Sequence, residues 1–410
     1  MDVIHRYCAG LDVHKDTVVA CARTLGDGGG VRQEVRTFST MTGGLIELSD
    51  WLTEQGVTHV VMESTGVYWK PVWHVLEDGF HLTLANAAHV RNVPGRKTDV
   101  NDATWLADLH AHGLVRASFV PPSRVQELRT LLRTRKQLVR EKAQHVLRLQ
   151  KILEDANLKI ASVASDITGR SGRAILGALI GGVTDPEQLA DAAGGRLRAP
   201  RERLVASLRG TVTDQHRFLL RLHLGQVDAL DRAVAEVERE AGEVLEPFRA
   251  KAELLTTIPG VSDIVAQSIV SEIGVDMSRF PTPGHLVSWG GLCPRSDESA
   301  GKRRSTRVRK GAPWLKTVLV QAAWSATRKK DSYPRAQFLR LKSRRGPKKA
   351  IVAVAASLLT AAWHMLKHDV PYRDLGSDHF DRLDRHGAAA RLVRKLQTLG
   401  FKVAIEEPAA

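Results

Sequence analysis

Four acids in the first hundred or so residues stand where acids are costly unless they share a task. Asp12 lies inside the apolar run Gly10-Leu11-Asp12-Val13, and Glu63 closes a second, Val61-Met62-Glu63-Ser64. Asp99 and Asp102 sit three apart in Lys97-Thr98-Asp99-Val100-Asn101-Asp102-Ala103. A carboxylate carried into an apolar strand is unfavourable without a cation or a hydrogen-bond donor. Several carboxylates gathered at strand ends repel one another unless a divalent ion neutralises them. An i,i+3 pair shares one face of a helix. Oxygen-only ligands select Mg²⁺, with Mn²⁺ as the alternative, and paired ions of that kind suit phosphodiester chemistry. Taken singly the acids have plainer uses: Asp99 as a helix N-cap or first-turn acid, Asp12 as a strand-end residue beside a turn. Their joint placement makes Asp12, Glu63, Asp99 and Asp102 the candidate metal ligands. Asp16, Glu77, Asp78 and Asp108 lack that placement and read as surface acids.

The elements that must position these acids alternate between strand and helix. Tyr7 to Val13, Thr17 to Arg23 and Val31 to Phe38 read as strands, separated by His14-Lys15-Asp16 and by the glycine loop 26–30. A helix follows with Leu45, Ile46, Leu48, Trp51 and Leu52 as its apolar face. Then come a buried strand from Val57 to Met62, a short helix from Tyr68, a strand from His81 to Ala85 and a helix from about Thr98. Three strands followed by helix-strand-helix-strand-helix is the order of a ribonuclease-H-like (RuvC-like) α/β domain over residues 1–120. After Pro121-Pro122 the pattern becomes helical. Val125, Leu132, Val139, Val146 and Leu153 fall seven apart, with Leu128, Arg135, Lys142 and Leu149 at the companion positions. A second long helix runs from about Leu219 to Phe248. This 121–250 region reads as a coiled-coil-like stalk, either an antiparallel hairpin or an oligomerisation arm, and Arg135 and Lys142 either weaken its seam or face phosphates. Residues 193–200 read as a loop. In the all-α region 251–375, Ile258-Pro259-Gly260-Val261 resembles a helix-hairpin-helix turn whose glycine lets backbone N–H groups approach a phosphate. Further helices are expected at Thr282–Trp289, Pro313–Arg328 and Lys348–Leu366. Residues 376–410 form a tail of no assigned role.

Charge divides the chain in the same way. The 410 residues carry 60 Lys+Arg and 45 Asp+Glu, a net charge of +15. Residues 1–120 hold 10 basic and 14 acidic side chains, whereas residues 291–350 hold 18 basic and 3 acidic. So concentrated a positive region calls for a polyanion, because each phosphate neutralised releases condensed counterions. Trp289, Trp314, Trp324 and Tyr333 offer stacking surfaces for bases or sugars. Three cysteines without metal-ligand spacing, and an N-terminus without an apolar leader, argue against a secreted disulfide-rich protein or a zinc finger. The apolar run Ile351 to Leu366 falls short of the roughly 20 residues of a bilayer span. A cytoplasmic, nucleoid-associated protein is the expectation.

The blocks Asp-Val-His-Lys, Glu-Ser-Thr-Gly-Val-Tyr and Lys-Thr-Asp-Val-Asn-Asp-Ala resemble the DEDD signature of insertion-sequence transposases of the IS-one-ten type, relatives of the Piv site-specific invertases. The likeness runs over essentially the whole chain. The stretch from Ile258 through Gly290-Gly291-Leu292-Cys293-Pro294 to Lys310-Gly311-Ala312-Pro313-Trp314-Leu315-Lys316 is similar to the family's C-terminal domain. The resemblance implies a DNA transposase/recombinase whose serine nucleophile forms a phosphoserine link to a DNA strand. In Pro294-Arg295-Ser296-Asp297-Glu298-Ser299-Ala300-Gly301-Lys302 the matching serine is Ser299, with Ser296 and Ser305 as lesser candidates. Ala300 departs from the glycine that commonly follows the serine in the family. Arg295, Lys302, Arg303, Arg304, Arg307, Arg309, Lys310 and Lys316 are the candidate nucleic-acid contacts. The family further implies donor and target DNA, a non-coding bridge RNA and a dimer or tetramer. The competing readings are a RuvC-like endonuclease that uses water and a non-catalytic nucleic-acid-binding protein.

Overall fold

A computed structural model describes the chain except residues 1, 27–28, 65, 87–89, 91–100, 196, 295–296, 306, 309–310 and 406–410, with backbone only for residues 297, 299 and 303. It divides into two compact units, Met1–Val120 and Pro121–Ala410.

In the first unit, apolar residues in β1 (Tyr7–Val13), β2 (Thr17–Leu25), β4 (His59–Glu63) and β5 (His81–Ala85) form a five-stranded sheet, completed by the polar edge strand β3 (Val31–Ser39). Its order is β3-β2-β1-β4-β5: the first three strands are antiparallel neighbours, and β4 and β5 run parallel to β1. Side chains alternate across each strand, so the two faces can be read from packing. Leu11 and Met62 join Leu48, Trp51 and Leu52 of α1 (Thr42–Glu54) and Val72 and Leu76 of α2 (Trp69–Leu76). Val61 lies on the other face, with Leu106 and Leu109 of α3 (Asp102–Ala111). Gly10 faces α3 as well. A Cβ there would stand 2.5 Å from the backbone nitrogen of Ala107, so the helix lies against bare strand backbone. Ile46, expected in the apolar face of α1, is half exposed; Leu45, Leu48, Trp51 and Leu52 make up that face.

The second unit begins with α4 (Ser123–Asp155), which packs along α8 (Asp214–Leu245). Their pairs fix an antiparallel hairpin within one chain. Arg135 Nε donates to Glu238 Oε1 at 2.6 Å, Lys142 pairs with Asp231, and near the far end His216 meets Asp155 at 3.1 Å. The two basic interruptions of the heptad thus meet acids on the returning helix. Between the long helices, α5 (Arg170–Ile180), α6 (Pro186–Ala192) and α7 (Arg201–Ser207) bury Ile175, Leu176, Leu179, Leu189 and Leu204 against Leu149, Leu153, Leu220 and Val227. These three short helices have no signature in the sequence pattern; the loop expected at 193–200 separates the last two.

Beyond the hairpin, α9 (Arg249–Thr256) and α10 (Asp263–Ile273) are joined through Gly260. This glycine has φ +83°, and a Cβ on it would stand 2.5 Å from the Ala326 nitrogen of α12 (Pro313–Ala326). Close packing against that helix accounts for the glycine. After α11 (Pro283–Trp289) the chain forms the hairpin β6 (Asp297–Ser299) and β7 (Lys302–Ser305), then α12, α13 (Tyr333–Arg345) and α14 (Pro347–His368). By length and composition α14 is sufficient to cross a membrane, more than the Ile351–Leu366 run suggested. Yet Ile351, Val354, Leu358, Leu359 and Trp363 are buried, and the Trp363 indole donates to the Phe280 carbonyl at 2.9 Å. It is the central helix of a packed helical region. The tail carries α15 (His379–Leu383) and α16 (Arg385–Thr398).

Candidate active site

Backbone register brings two of the acids side by side. Parallel pairing of β1 with β4 ends at Leu11 opposite Met62, and one step further along both strands stand Asp12 and Glu63. Two residues beyond Gly10 and Val61, both lie on the α3 face of the sheet. The direction of α3 places its start at the same end: the Cys8 thiol, early in β1, donates to the Ala107 carbonyl at 3.6 Å, whereas Gly10 sits against Ala103 and Ala107. The helix therefore runs opposite to β1, and Asp102, its first residue, lies toward the Asp12 end. Asn101 caps the helix by accepting from the Ala103 N–H at 2.9 Å. The N-cap role considered for Asp99 thus belongs to Asn101; Asp99 itself, and the helix start expected at Thr98, lie outside the described residues.

Asp12 is partly buried, with its side chain 24 % exposed, and its Oδ2 lies 3.2 Å from His14 Nε2. Glu63 is also partly buried. The donor chemistry, carboxylate oxygen throughout, suits a hard divalent cation. Among the described residues, however, no group of three or more His, Cys, Asp or Glu stands ready to hold a metal ion. The geometry supplies two adjacent carboxylates on rigid strands and a third at the head of the helix packed on them. Asp108, read as a surface acid, accepts from Arg23 Nε and from the Gln33 amide, each at 2.9 Å. Cys8 and Cys21 are free and buried, and burial pushes the Cys8 thiol up to about 12. Neither is suited to act as a nucleophile.

The candidate serine belongs to the second unit. Ser299 ends β6 and pairs with Lys302, so Ala300 and Gly301 alone form the hairpin loop, with φ +50° and +73°. Two positive φ values are those of a two-residue hairpin turn that matches the right-handed twist of its strands, where glycine and asparagine are the usual residues. Alanine there carries strain that glycine would not. The isolated bridge between Pro294 and Val308 closes the base of the hairpin. Of the lesser candidates, Ser305 accepts from the Arg307 N–H at 3.2 Å and so serves a local turn; Ser296 lies outside the described residues. Lys302, Arg304 and Arg307 are exposed. Lys316 is half-buried, and its pKa is lowered by that burial. Arg295, Arg309 and Lys310, and the side chain of Arg303, lie outside the described residues. The aromatic residues are more engaged than the sequence suggested: Trp324 packs edge-on to Phe338, Tyr333 stacks on Phe380, and three cations surround Trp314.

Comparison with known proteins addresses both regions. Residues 9–158 match the DEDD transposase family of the IS110 type, and residues 252–339 match the transposase family IS116/IS110/IS902. The chain belongs to the IS110 family of transposases. It is 24 % identical over 373 residues to the transposase for insertion sequence element IS1111A of Coxiella burnetii, covering 89 % of this chain and 90 % of that protein. It is also 22 % identical over 378 residues to the pilin gene-inverting protein of Moraxella lacunata, covering 88 % and 96 %. Membership in this family makes DNA its substrate and DNA recombination its class of activity. The two family matches contain all four acids and Ser299, and leave out residues 159–251, which include α5–α7.

Proposed function

We propose that the chain cleaves and rejoins DNA strands through a phosphoserine intermediate formed at Ser299, with Asp12, Glu63, Asp99 and Asp102 holding Mg²⁺ or Mn²⁺. The observation that carries this reading is the neighbouring of Asp12 and Glu63 on the face where α3 begins with Asp102. The strand order, with three antiparallel strands and two parallel ones, supports a ribonuclease-H-like first domain. Domains at 1–120, 121–250 and 251–375, with a tail at 376–410, complete the proposed organisation.

The ion, when bound, supplies charge neutralisation of the phosphate and eases loss of the hydroxyl proton. The serine Oγ attacks phosphorus in line, forming an O–P bond as the bond to the departing strand's oxygen breaks. The serine proton passes to a base or solvent, and the departing oxygen takes up a proton. Attack by the hydroxyl of a second strand reverses the first step and frees the serine, so rejoining needs no external energy source. Lys302, Arg304 and Arg307 hold the flanking phosphates. Donor and target DNA, an element-encoded bridge RNA and assembly into a dimer or tetramer are carried over from the family resemblance, and a cytoplasmic, nucleoid-associated location follows from those partners.

The test is strand exchange on paired DNA ends with Mg²⁺ and the RNA that copurifies with the protein. Ser299→Ala and Asp12→Asn each lower exchange by on the order of 10³-fold or more while leaving DNA binding in place. The rival within the enzyme class is an endonuclease that shares the acids and uses water. In that case Ser299→Ala continues to cleave. A protein that only binds nucleic acid shows no change with Asp12→Asn or with EDTA.

A further inference from the structure

On α4, Arg133, Lys136 and Arg140 follow one another at i, i+3 and i+7 and so share a face. Their charged groups stand 5.5, 5.2 and 5.4 Å from the centre of the Trp314 ring in the first turn of α12. The charges are unevenly compensated. Arg133 is bound through both nitrogens to the buried Glu272, at 2.8 Å each, and Arg129 donates to the Ser271 and Glu272 carbonyls at 3.0 and 2.7 Å. Glu272 is thereby committed to two arginines. The Lys136 ammonium is shielded from solvent and has no hydrogen-bond partner, and its pKa is lowered by burial and then by Arg140. Arg140 is exposed. An ammonium removed from water without an acceptor is costly, and the indole face offsets only part of that cost. An anion held by the exposed Arg140 meets both cations when the Lys136 side chain swings outward from the ring.

Resting on the proposed function for its partner, we infer that Lys136 and Arg140 over Trp314 form a phosphodiester-binding site, contributed by the helical hairpin in addition to the basic 291–350 segment. The ligand is the sugar-phosphate backbone, with either DNA or the guide RNA as its source. Trp314 serves as the platform that holds the cations and is not a base-stacking surface.

The full-length protein is titrated with duplex DNA and, separately, with its copurified RNA over a series of salt concentrations. The variants are Lys136→Gln/Arg140→Gln and the charge-preserving Lys136→Arg/Arg140→Lys. Each lost phosphate contact lowers the slope of log affinity against log salt by about one. The glutamine pair is expected to lower the slope by one to two units with an unchanged unfolding midpoint, and the charge-preserving pair to retain the wild-type slope. Loss with only one polymer identifies the source. Wild-type slopes for both polymers in the glutamine pair overturn the site while leaving the proposed function standing. If the wild-type protein binds neither polymer, both fall.

Discussion

The two units hold their candidate reactive groups in opposite ways. In the first, Asp12 and Glu63 ride on adjacent strands whose register is set by a buried core, and Gly10 lets α3 lie directly against the sheet. Their positions are fixed by contacts far apart in sequence. In the second, Ser299 lies beside a two-residue turn with a strained alanine, its cationic neighbours face solvent, and the hairpin's register is local. Charge follows the same division, acidic where the sheet is and basic where the hairpin is. Under the proposed function, the rigid frame would present like charges for an ion, and the hairpin would carry the serine among cations that attract a polyanion.

The contrast can be broken first at a buried charge of the second unit. Glu272, 4 % exposed, is the acid that Arg129 and Arg133 share in the second unit. Glu272→Gln leaves buried guanidinium groups without a counter-charge and is expected to cost about 3–5 kcal/mol, read by denaturant unfolding. A smaller effect belongs to the first unit. His5, His59, His81 and His110 form a chain of rings at the end of the sheet opposite the acids, with neighbouring centroids 4.1–4.9 Å apart. Burial, then His5 and His59, holds His110 down to about 4, and burial also lowers His59. Because these groups titrate below the ordinary value of 6.5, the folded form binds fewer protons than the unfolded chain between about pH 6.5 and 4. Stability is therefore full above that window and falls as pH is lowered through it, by on the order of 3 kcal/mol from His110. His110→Asn should flatten the pH dependence of the unfolding midpoint. The smallest effect is at the hairpin. Ala300→Gly relieves a positive φ and is expected to add up to about 1 kcal/mol, read as slower hydrogen exchange of the β6–β7 amides.

What the sequence revealed depended on whether the determining contacts were local. β1 and β5 are legible to the residue because short apolar runs end at turn residues, and the succession of strands and helices in the first unit is legible from their alternating patterns; the spatial order β3-β2-β1-β4-β5 depends on pairings that the patterns do not reveal. Apolar type alone puts Ile46 on the apolar face of α1; the 3.6-residue period turns it outward. Arg135 and Lys142 could not be paired from sequence, since their partners Glu238 and Asp231 lie some ninety to a hundred residues away. Helices α5–α7 are too short to show a sustained period. The helix α13 was missed because its turns carry Arg335, Arg340, Lys342, Arg344 and Arg345, and so read as a charge run. At the candidate site, the types and strand-end placement of Asp12 and Glu63 were legible. That Asn101 caps α3, and that Trp314 is committed to three cations, depends on contacts that spacing does not reveal.

The central claim is tested most directly by trapping the reaction on a DNA substrate whose departing strand is too short to remain paired, then locating any covalent attachment by peptide mass spectrometry. The account predicts one DNA-linked peptide, joined through Ser299 and absent from Ser299→Ala and from protein treated with EDTA. Strand cleavage with no linked peptide, or a link through another residue, would contradict it.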